Sequence, residues 1–299
     1  MGLQHKHGHH HTTENIKTAF FLNSAFTIIE IIGGFYTNSL AIMSDAVHDL
    51  GDSLSLGMSW YFQKLSNKDA NRKYTYGYGR FSLLGAIINS IVLIVGSVFI
   101  ISEAIPRIIN PEEADATGMM WLAILGIIVN GAAVLKLKRG SSINERVVSL
   151  HLLEDVLGWV AVLIASIVMM YWDVPILDPI LSLAIAGYVL FNVYRNIKDA
   201  FKIILQGVPK EISSEKIKEQ IILNVDEVVD IHDCHIWTLD GEFHIATIHI
   251  IIKNKNFSWQ ESKEVKEKIK KLLHNNFHLE HVTLELESIL EDCGYKNCN

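Results

Sequence analysis

Long apolar runs alternate with short polar connections through the first two thirds of the chain. A helix needs about 20 apolar residues to cross the ~30 Å hydrocarbon core of a bilayer, and each run has about that length. The runs occupy residues 16–36, 40–62, 81–105, 118–137, 147–172 and 176–194. The pattern therefore predicts an all-α membrane domain of six transmembrane helices over residues 16–206.

Basic residues collect in alternate connections between these runs. They are Lys64, Lys68, Arg72, Lys73 and Arg80, then Lys136, Lys138, Arg139 and Arg146, then Arg195, Lys198 and Lys202, whereas the opposite connections hold Arg107 alone. Cytoplasmic loops of membrane proteins carry the excess of Lys and Arg. The asymmetry predicts that both termini are cytoplasmic.

The last third of the chain has the mixed pattern of a water-soluble domain. Capping signals at Ser213 and Ser258 precede two amphipathic helical stretches. Alternating residues predict strands over 231–239, 242–252 and 281–287. The order α-β-β-α-β predicts a small cytosolic α+β domain over residues 207–290, with two helices on one face of three strands.

The first two predicted strands form a hairpin whose turn decides which residues face each other. Asp240-Gly241 is a two-residue turn signal, and such a turn sets His232 directly opposite His249. Opposed side chains have Cβ atoms about 5 Å apart, so two imidazoles there can share one metal ion. On pattern alone, a solvated polar pair is the slightly favoured alternative.

Composition and charge narrow the function classes. Of 299 residues, 49% are hydrophobic and 20% charged, and the formal net charge is -7. An acidic membrane protein lacks the basic surface of a nucleic-acid binder. The 3 cysteines, Cys234, Cys293 and Cys298, are too few for a disulfide framework. We expect the soluble part, including the Cys-containing tail 291–299, to lie in a reducing compartment.

Four ionisable residues interrupt the second apolar run, in the segment 44–52 (SDAVHDLGD). A charged side chain at mid-membrane costs at least ~3 kcal/mol on insertion scales, so it needs a partner, a cavity or an ion. His48 and Asp52 are four residues apart, which puts an imidazole and a carboxylate on one helical face. Asp45 and Asp49 are angled away from that face.

The same spacing recurs at the start of the fifth run, where His151 precedes Asp155 by four residues. Two imidazoles and two carboxylates make a tetrahedral shell whose charge neutralises a divalent transition metal. Zn²⁺ fits this shell best, and Co²⁺, Cd²⁺, Fe²⁺ and Mn²⁺ stay open as alternatives. We therefore expect His48, Asp52, His151 and Asp155 to form one metal site.

One further ionisable residue lies inside an apolar run. Glu30 is in the first run, and an ionisable group in a membrane span is a functional candidate by default. With Asp45, Glu30 is a candidate wall of an ion pathway. An interhelical hydrogen bond is the alternative role.

The first fifteen residues form a polar segment that we expect to be unstructured and to capture metal ions loosely. Its imidazoles are those of His5, His7, His9, His10 and His11. An expression tag is the alternative origin of this segment. The interruptions at Lys6 and Gly8 favour native sequence.

Several strings resemble the cation diffusion facilitator family, most closely its bacterial zinc/cobalt/cadmium-type exporters. Residues 39–48 (SLAIMSDAVH) resemble the second-helix signature of that family, and 178–182 (DPILS) resemble the start of its sixth helix. Residues 205–209 (LQGVP) and 232–237 (HDCHIW) are similar to its junction and its first cytosolic strand. The likeness covers nearly the whole chain and includes the His-rich amino terminus.

The resemblance implies a homodimeric, proton-coupled exporter with a tetrahedral transport site on the second and fifth helices. That site matches His48, Asp52, His151 and Asp155 of this chain. The cytosolic domain would be the ferredoxin-like, metallochaperone-like dimerisation domain of the family.

The family often binds regulatory metal in its cytosolic domain, which favours the metal-site interpretation of the His pair. The matching residues are His232, His249 and Glu285. Glu287, or the trailing Cys293 and Cys298, are alternative ligands that complete the shell.

Two stretches depart from the family pattern. Some members carry another metal site, built on His and Asp, between the second and third helices. Here residues 71–80 (NRKYTYGYGR) have Tyr where His is needed, so we expect no metal site in that loop. Glu154 stands beside Asp155, where a small residue is common.

These observations predict proton-coupled efflux of a divalent metal ion, above all Zn²⁺, by a multi-pass protein of a bacterial inner (cell) membrane that needs no prosthetic group. A membrane-embedded metalloenzyme is one alternative, but it needs an open coordination position and a motif such as His-Glu-x-x-His, which the sequence lacks. A membrane-tethered metal sensor is the other alternative. It leaves the two His-Asp pairs of the membrane domain unexplained.

Overall fold

The computed structural model describes residues 9–66, 68, 70–137, 143–254 and 258–289. Over these residues the chain forms six long helices followed by an α-β-β-α-β segment, which is the predicted order of elements. The chain divides into two compact units. The first comprises Met1–Phe62 and Gly85–Asn196, and the second comprises Gln63–Leu84 and Ile197–Asn299.

The six long helices carry most of the apolar surface of the chain. They are α1 (His9–Thr37), α2 (Leu40–Ser66), α3 (Phe81–Ile109), α4 (Ala116–Leu137), α5 (Ile143–Trp172) and α6 (Leu177–Ile204). Among the described residues, 4 helices, α3 to α6, are long and apolar enough to cross a membrane. Large side chains such as Phe99, Trp121 and Phe191 point outward from them. Such a surface suits lipid, and a helical transmembrane domain is confirmed.

The first two helices are more polar than the other four. Helix α2 carries Asp45, Asp49 and Asp52. Helix α1 begins at His9, so the prediction of an unstructured segment up to residue 15 is wrong for residues 9–15. A helix that is already nucleated extends at little cost, because each further residue adds one backbone hydrogen bond.

A tryptophan on α5 forms the centre of the first unit. Trp159 is fully buried and packs edge-on against Phe26 of α1, with ring centres 5.6 Å apart. Gly126 of α4 makes this packing possible, because a Cβ atom at that position would lie 2.4 Å from the indole ring. Close packing around Trp159 thus holds α5 against α4 and α1.

The second unit contains a three-stranded sheet with two helices. Its elements are α7 (Ser214–Asn224), β1 (Val228–Thr238), β2 (His244–Ile252), α8 (Trp259–Phe277) and β3 (Leu279–Ser288). The strand order is β1-β2-β3, with β1 antiparallel and β3 parallel to β2. A parallel pair needs a crossover connection, and α8 provides it. The predicted α+β domain is confirmed.

Both helices of this unit bury one face against the sheet. Ile217 and Ile221 of α7 and Ile269 and Leu273 of α8 are fully buried in a core shared with the strands. Ser213 caps α7, and Ser258 forms the predicted capping box with Glu261 at the start of α8. The apolar core leaves the opposite face of the sheet for polar side chains.

One ion pair joins α8 to the turn before β1. Lys268 Nζ lies 3.0 Å from Glu227 Oε1. The ammonium holds the pKa of Glu227 below its ordinary value. The contact is largely exposed and adds little to the packing of α8.

The β1–β2 hairpin has a longer turn than predicted, yet it makes the predicted His pair. Its last paired residues are Thr238 and His244, so the two-residue turn at Asp240-Gly241 is wrong. Asp240 Oδ1 accepts hydrogen bonds from the amides of Glu242 and Phe243, which stabilises the wider turn. A bulge between His232 and His235 shifts the register back by one residue. The two differences cancel, and His232 pairs with His249.

Candidate metal centres

Helices α2 and α5 bring the two His-Asp pairs of the first unit to one point. His48 Nε2 lies 3.6 Å from Asp52 Oδ2 and 4.0 Å from Asp155 Oδ1, while His151 Nε2 lies 2.7 Å from Asp52 Oδ2. The ligating atoms of His48, His151 and Asp155 lie within 4.8 Å of one another. One metal ion can bridge atoms at this spacing. Three of the four predicted residues thus share one centre, and Asp52 lies beside it through its contacts with both imidazoles.

The cluster is enclosed on its Asp155 side and more open on its His151 side. The side chain of Asp155 is 4% exposed, whereas that of His151 is 39% exposed. His151 Nε2 shares a hydrogen bond with Asp52, and it is the donor when Asp52 is ionised, because an ionised carboxylate only accepts hydrogen bonds. The nitrogen that carries this proton is also an atom that faces the centre of the cluster. A proton and a metal ion therefore compete for it.

Three further carboxylates lie close to this cluster. Glu30, Asp45 and Asp49 are 0%, 6% and 1% exposed. The charge of Glu30 on α1 interacts with those of Asp45 on α2 and Asp155 on α5. Glu30 also shares a side-chain hydrogen bond with Asp49. Unpaired buried charges are costly, so these groups hold protons or are balanced by a cation.

The second centre lies on the polar face of the sheet in the other unit. Glu287 joins the two imidazoles: its Oε1 lies 2.5 Å from His249 Nδ1 and its Oε2 lies 3.2 Å from His232 Nε2. The two rings are 5.4 Å apart. Ligating atoms of His232, His249 and Glu287 lie within 4.8 Å of one another.

Two carboxylates besides Glu287 approach His249. Glu285 Oε2 and Asp233 Oδ2 each lie 3.4 Å from His249 Nε2. The Glu285 side chain is 66% exposed, whereas that of Glu287 is 9% exposed. Glu285 and Glu287 share a face because they are two residues apart on β3. Of the two carboxylates that the sequence predicted as possible ligands, Glu287 is therefore better placed to bind a metal ion than Glu285.

Sequence reasoning missed Asp233 as a neighbour of this centre. Strand alternation sends Asp233 to the face opposite His232. Its backbone instead has a φ of 47° within the irregular stretch between His232 and His235, and its carboxylate turns toward His249. The string His232-Asp233-Cys234-His235 was the available signal, because four potential ligands are consecutive there.

Some of the predicted metal-binding residues lie outside the part of the chain that the structure describes. His5, His7, Cys293 and Cys298 are outside the described residues, and so are the side chains of His9, His10 and His11. The loop between α2 and α3 contains packed aromatic rings, with Tyr74 and Tyr78 4.7 Å apart and Tyr76 5.7 Å from His281 of β3. The absence of a metal site in that loop stays a prediction.

Comparison with family models divides the chain in the same way as the sequence pattern. The model described as the cation efflux transmembrane domain matches residues 16–205. The model described as the cation efflux protein, cytoplasmic domain, matches residues 209–289. The two matches follow each other with only a short junction between them.

Curated bacterial proteins are similar over almost the whole chain. The cadmium, cobalt and zinc/H(+)-K(+) antiporter of Bacillus subtilis is 34% identical, over 96% of this chain and 92% of its own length. Zinc transporter ZitB of Pectobacterium atrosepticum is 31% identical, over 100% and 92%. Metal cation efflux system protein CzcD of Cupriavidus metallidurans is 31% identical, over 96% and 90%. The chain thus belongs to the cation diffusion facilitator family, as an integral membrane cation efflux transporter and not an enzyme.

Proposed function

We propose that this protein exports Zn²⁺ from the cytoplasm in exchange for protons, through the site formed by His48, Asp52, His151 and Asp155. The observation that carries the proposal is the convergence of the two His-Asp pairs of α2 and α5 on one point. Two neutral imidazoles with two carboxylates neutralise a divalent ion and favour tetrahedral coordination. Zinc here is the transported substrate, and no prosthetic group is needed.

The donor set supports a ranking of substrates. Imidazole nitrogen suits Zn²⁺ and Co²⁺, whereas Mn²⁺ prefers oxygen ligands. The names of the Bacillus subtilis and Pectobacterium atrosepticum relatives include zinc, and the former also includes cadmium and cobalt. We therefore rank Zn²⁺ first, Co²⁺ and Cd²⁺ next, and Fe²⁺ and Mn²⁺ last.

Proton coupling follows from competition at the ligands. Metal ions bind the deprotonated forms of imidazole and carboxylate, so loading releases protons and acidification favours release of the metal. The hydrogen bond between His151 Nε2 and Asp52 supports this competition, because a proton held there occupies a proposed ligand atom. If the site opens alternately to each side of the membrane, a higher proton concentration outside unloads the metal there.

Glu30 and Asp45 form the wall of the ion pathway in this proposal. Both are buried beside the transport site, and Glu30 comes from α1, outside the two ligand helices. A carboxyl group at this depth is most stable when protonated or beside a cation. Protons that leave the ligands therefore have acceptors close by.

The proposed organisation is a homodimer in a bacterial inner membrane with both termini in the cytoplasm. Six spans, α1 to α6, make up the transport domain over residues 16–206, and residues 207–290 form the cytosolic domain. The match to the cytoplasmic domain of cation efflux proteins supports dimerisation through this part. The His-rich residues 1–15 would capture metal loosely before it enters the transport site.

The cytosolic His pair is proposed as a regulatory zinc site. His232, His249 and Glu287 supply three ligands at a bridging distance, and Asp233 or Glu285 supplies a fourth. A simple hydrogen-bonded His–Glu cluster is the alternative, and the buried position of Glu287 fits both. A membrane-tethered sensor would use this site alone, so metal flux separates that function from transport.

Replacing any one of His48, Asp52, His151 or Asp155 by Ala should abolish zinc transport, because the remaining ligands cannot neutralise and enclose the ion. Zinc flux into proteoliposomes under an imposed pH gradient measures this, across a panel of Zn²⁺, Co²⁺, Cd²⁺, Fe²⁺ and Mn²⁺. The matched control is Glu154→Ala, an exposed carboxylate next to Asp155 that accepts a hydrogen bond from Tyr188. Wild-type flux in His48→Ala would refute the site.

Exchanging an imidazole for a carboxylate should change metal choice. His48→Asp makes a harder, three-carboxylate shell, so we expect the ratio of cadmium or manganese to zinc transport to rise. The same proteoliposome assay with metals in pairwise competition measures the ratio. An unchanged ratio would mean that ligand type at residue 48 does not set selectivity.

Removing the titratable group of Glu30 should weaken coupling to the pH gradient. Glu30→Gln keeps the size of the side chain but cannot release a proton, so gradient-driven zinc flux should fall several-fold while zinc binding persists. Asn23→Ala, which changes a polar residue seven positions earlier on the same helix face, is the control. Wild-type response of Glu30→Gln to the gradient would exclude Glu30 from the pathway.

The fragment 209–299 should bind zinc with an affinity that falls as pH drops through the range in which histidine protonates. The His232→Ala, His249→Ala double variant should lose this binding in calorimetry. His235→Ala is the control, because its side chain is 60% exposed and binds Asp233 on the outside of the cluster. Unchanged stoichiometry and affinity in the double variant would exclude the pair as ligands.

A further inference from the structure

The start of α2 is held by a carboxylate from another helix. Asp178 of α6 accepts a hydrogen bond from the Ser39 hydroxyl at 2.5 Å, and from the backbone amides of Leu40 at 2.7 Å and Ala41 at 3.2 Å. Ser39 and Asp178 are 1% and 2% exposed. A buried, negatively charged group thus meets the first turn of a helix that lies far away in the sequence.

These contacts satisfy both partners. The first amides of a helix lack acceptors inside the helix, and its positive end favours an anion. Ser39 also caps α2 locally, because its Oγ accepts from the amide of Ile42 at 3.2 Å. The N-terminus of α2 thus already has its own capping residue, Ser39. The hydrogen bonds from Asp178 are additional, and they connect α2 to α6.

Other polar contacts hold the same end of α2. Arg107 of α3 donates to the backbone oxygen and to Oδ1 of Asn38, both at 2.9 Å, in the turn just before α2. Asn38 has a φ of 53°, so the backbone of this turn is tightly bent. Ser44 Oγ donates to the backbone oxygen of Ser182, at 3.4 Å, one turn further along α2 and α6. The position of the first turns of α2 is thus set by neighbouring helices.

The same helix carries two of the four proposed metal ligands. At 1.5 Å per residue, His48 is about 10 Å and Asp52 about 16 Å along α2 from Ala41. The other two ligands, His151 and Asp155, are on α5. Metal–ligand distances tolerate errors of only about 0.2 Å, so a small shift or rotation of α2 against α5 disturbs the site.

We propose that Asp178 is a positioning residue of the transport site: by tethering the first turn of α2 to α6, it sets the height and rotation at which His48 and Asp52 face α5. This role rests on the proposed transport site. It differs from simple helix capping, which stabilises α2 without fixing its place.

Two double variants separate tethering from capping. In Ser39→Asp with Asp178→Ser, the carboxylate and hydroxyl change places, so the combined reach of the two side chains is kept and both the cap and the bond between helices can form. In Ser39→Asp with Asp178→Ala, Asp at position 39 can still cap α2, but residue 178 offers no partner. The two double variants have the same charge and differ by one hydroxyl group.

The measurement is zinc binding to the purified full-length chain, together with zinc flux in proteoliposomes. His232→Ala and His249→Ala are present throughout to remove the cytosolic pair, and the fraction of binding lost in His48→Ala defines the transport site. We expect Asp178→Ala to weaken that binding by about tenfold or more, the effect of losing a group that orients metal ligands. The hydroxyl-bearing double variant should recover affinity and flux, whereas the Ala-bearing one should recover thermal stability alone.

Two results would overturn the role of Asp178. One is wild-type zinc affinity in Asp178→Ala, and the other is equal recovery of affinity in both double variants, which would reduce Asp178 to a helix cap. A different result would overturn the transport site itself: zinc binding in the parent protein that His48→Ala does not reduce. The parent measurement therefore distinguishes failure of the proposed function from failure of the positioning role.

Discussion

Carboxylates inside an apolar helical domain need compensation, and this requirement shapes the first unit. Asp52 is compensated by the imidazole of His151, and Asp178 by the first turn of α2. Glu30 and Asp49 are fully or nearly fully buried, and their carboxyl groups interact with each other. In the proposed function these groups have different tasks: Asp52 is a metal ligand, Asp178 is a tether and Glu30 belongs to the ion pathway. A chain that only had to be stable would place apolar residues at these positions.

Both centres combine imidazole and carboxylate groups, but the first is built on helices and the second on strands. In the first unit, the proposed ligands lie on two separate helices, so their distance depends on how α2 and α5 are placed. In the second unit, His232 and His249 are paired residues of adjacent strands, and backbone hydrogen bonds fix their distance. A site split between helices can open and close, which transport requires, whereas a site fixed by strand register suits retention of an ion.

Hydrophobic periodicity predicted the helices and strands, and residue spacing predicted which potential ligands lie together. The i, i+4 spacing of His48 and Asp52 sufficed because a helix has only one way to place such residues. Strand register was less secure: the prediction of opposed His232 and His249 was right although both the turn length and the bulge were unforeseen. Asp233 and the tether from Asp178 depend on a bent strand and on the packing of α6 against α2. The helix packing has no local sequence signal, and the bent strand is indicated only by the run of potential ligands at residues 232–235.

The central claim is that one four-ligand site with two imidazoles and two carboxylates holds the transported zinc. Zinc K-edge X-ray absorption tests it most directly. The sample is the transporter without residues 1–11 and with the His232→Ala and His249→Ala substitutions, so that both domains are kept while the other histidine clusters are removed. The account predicts four nitrogen or oxygen neighbours at about 2.0 Å, two of them imidazole, and no sulfur. Sulfur in the shell, a single imidazole, or an unchanged spectrum in His48→Ala would contradict it.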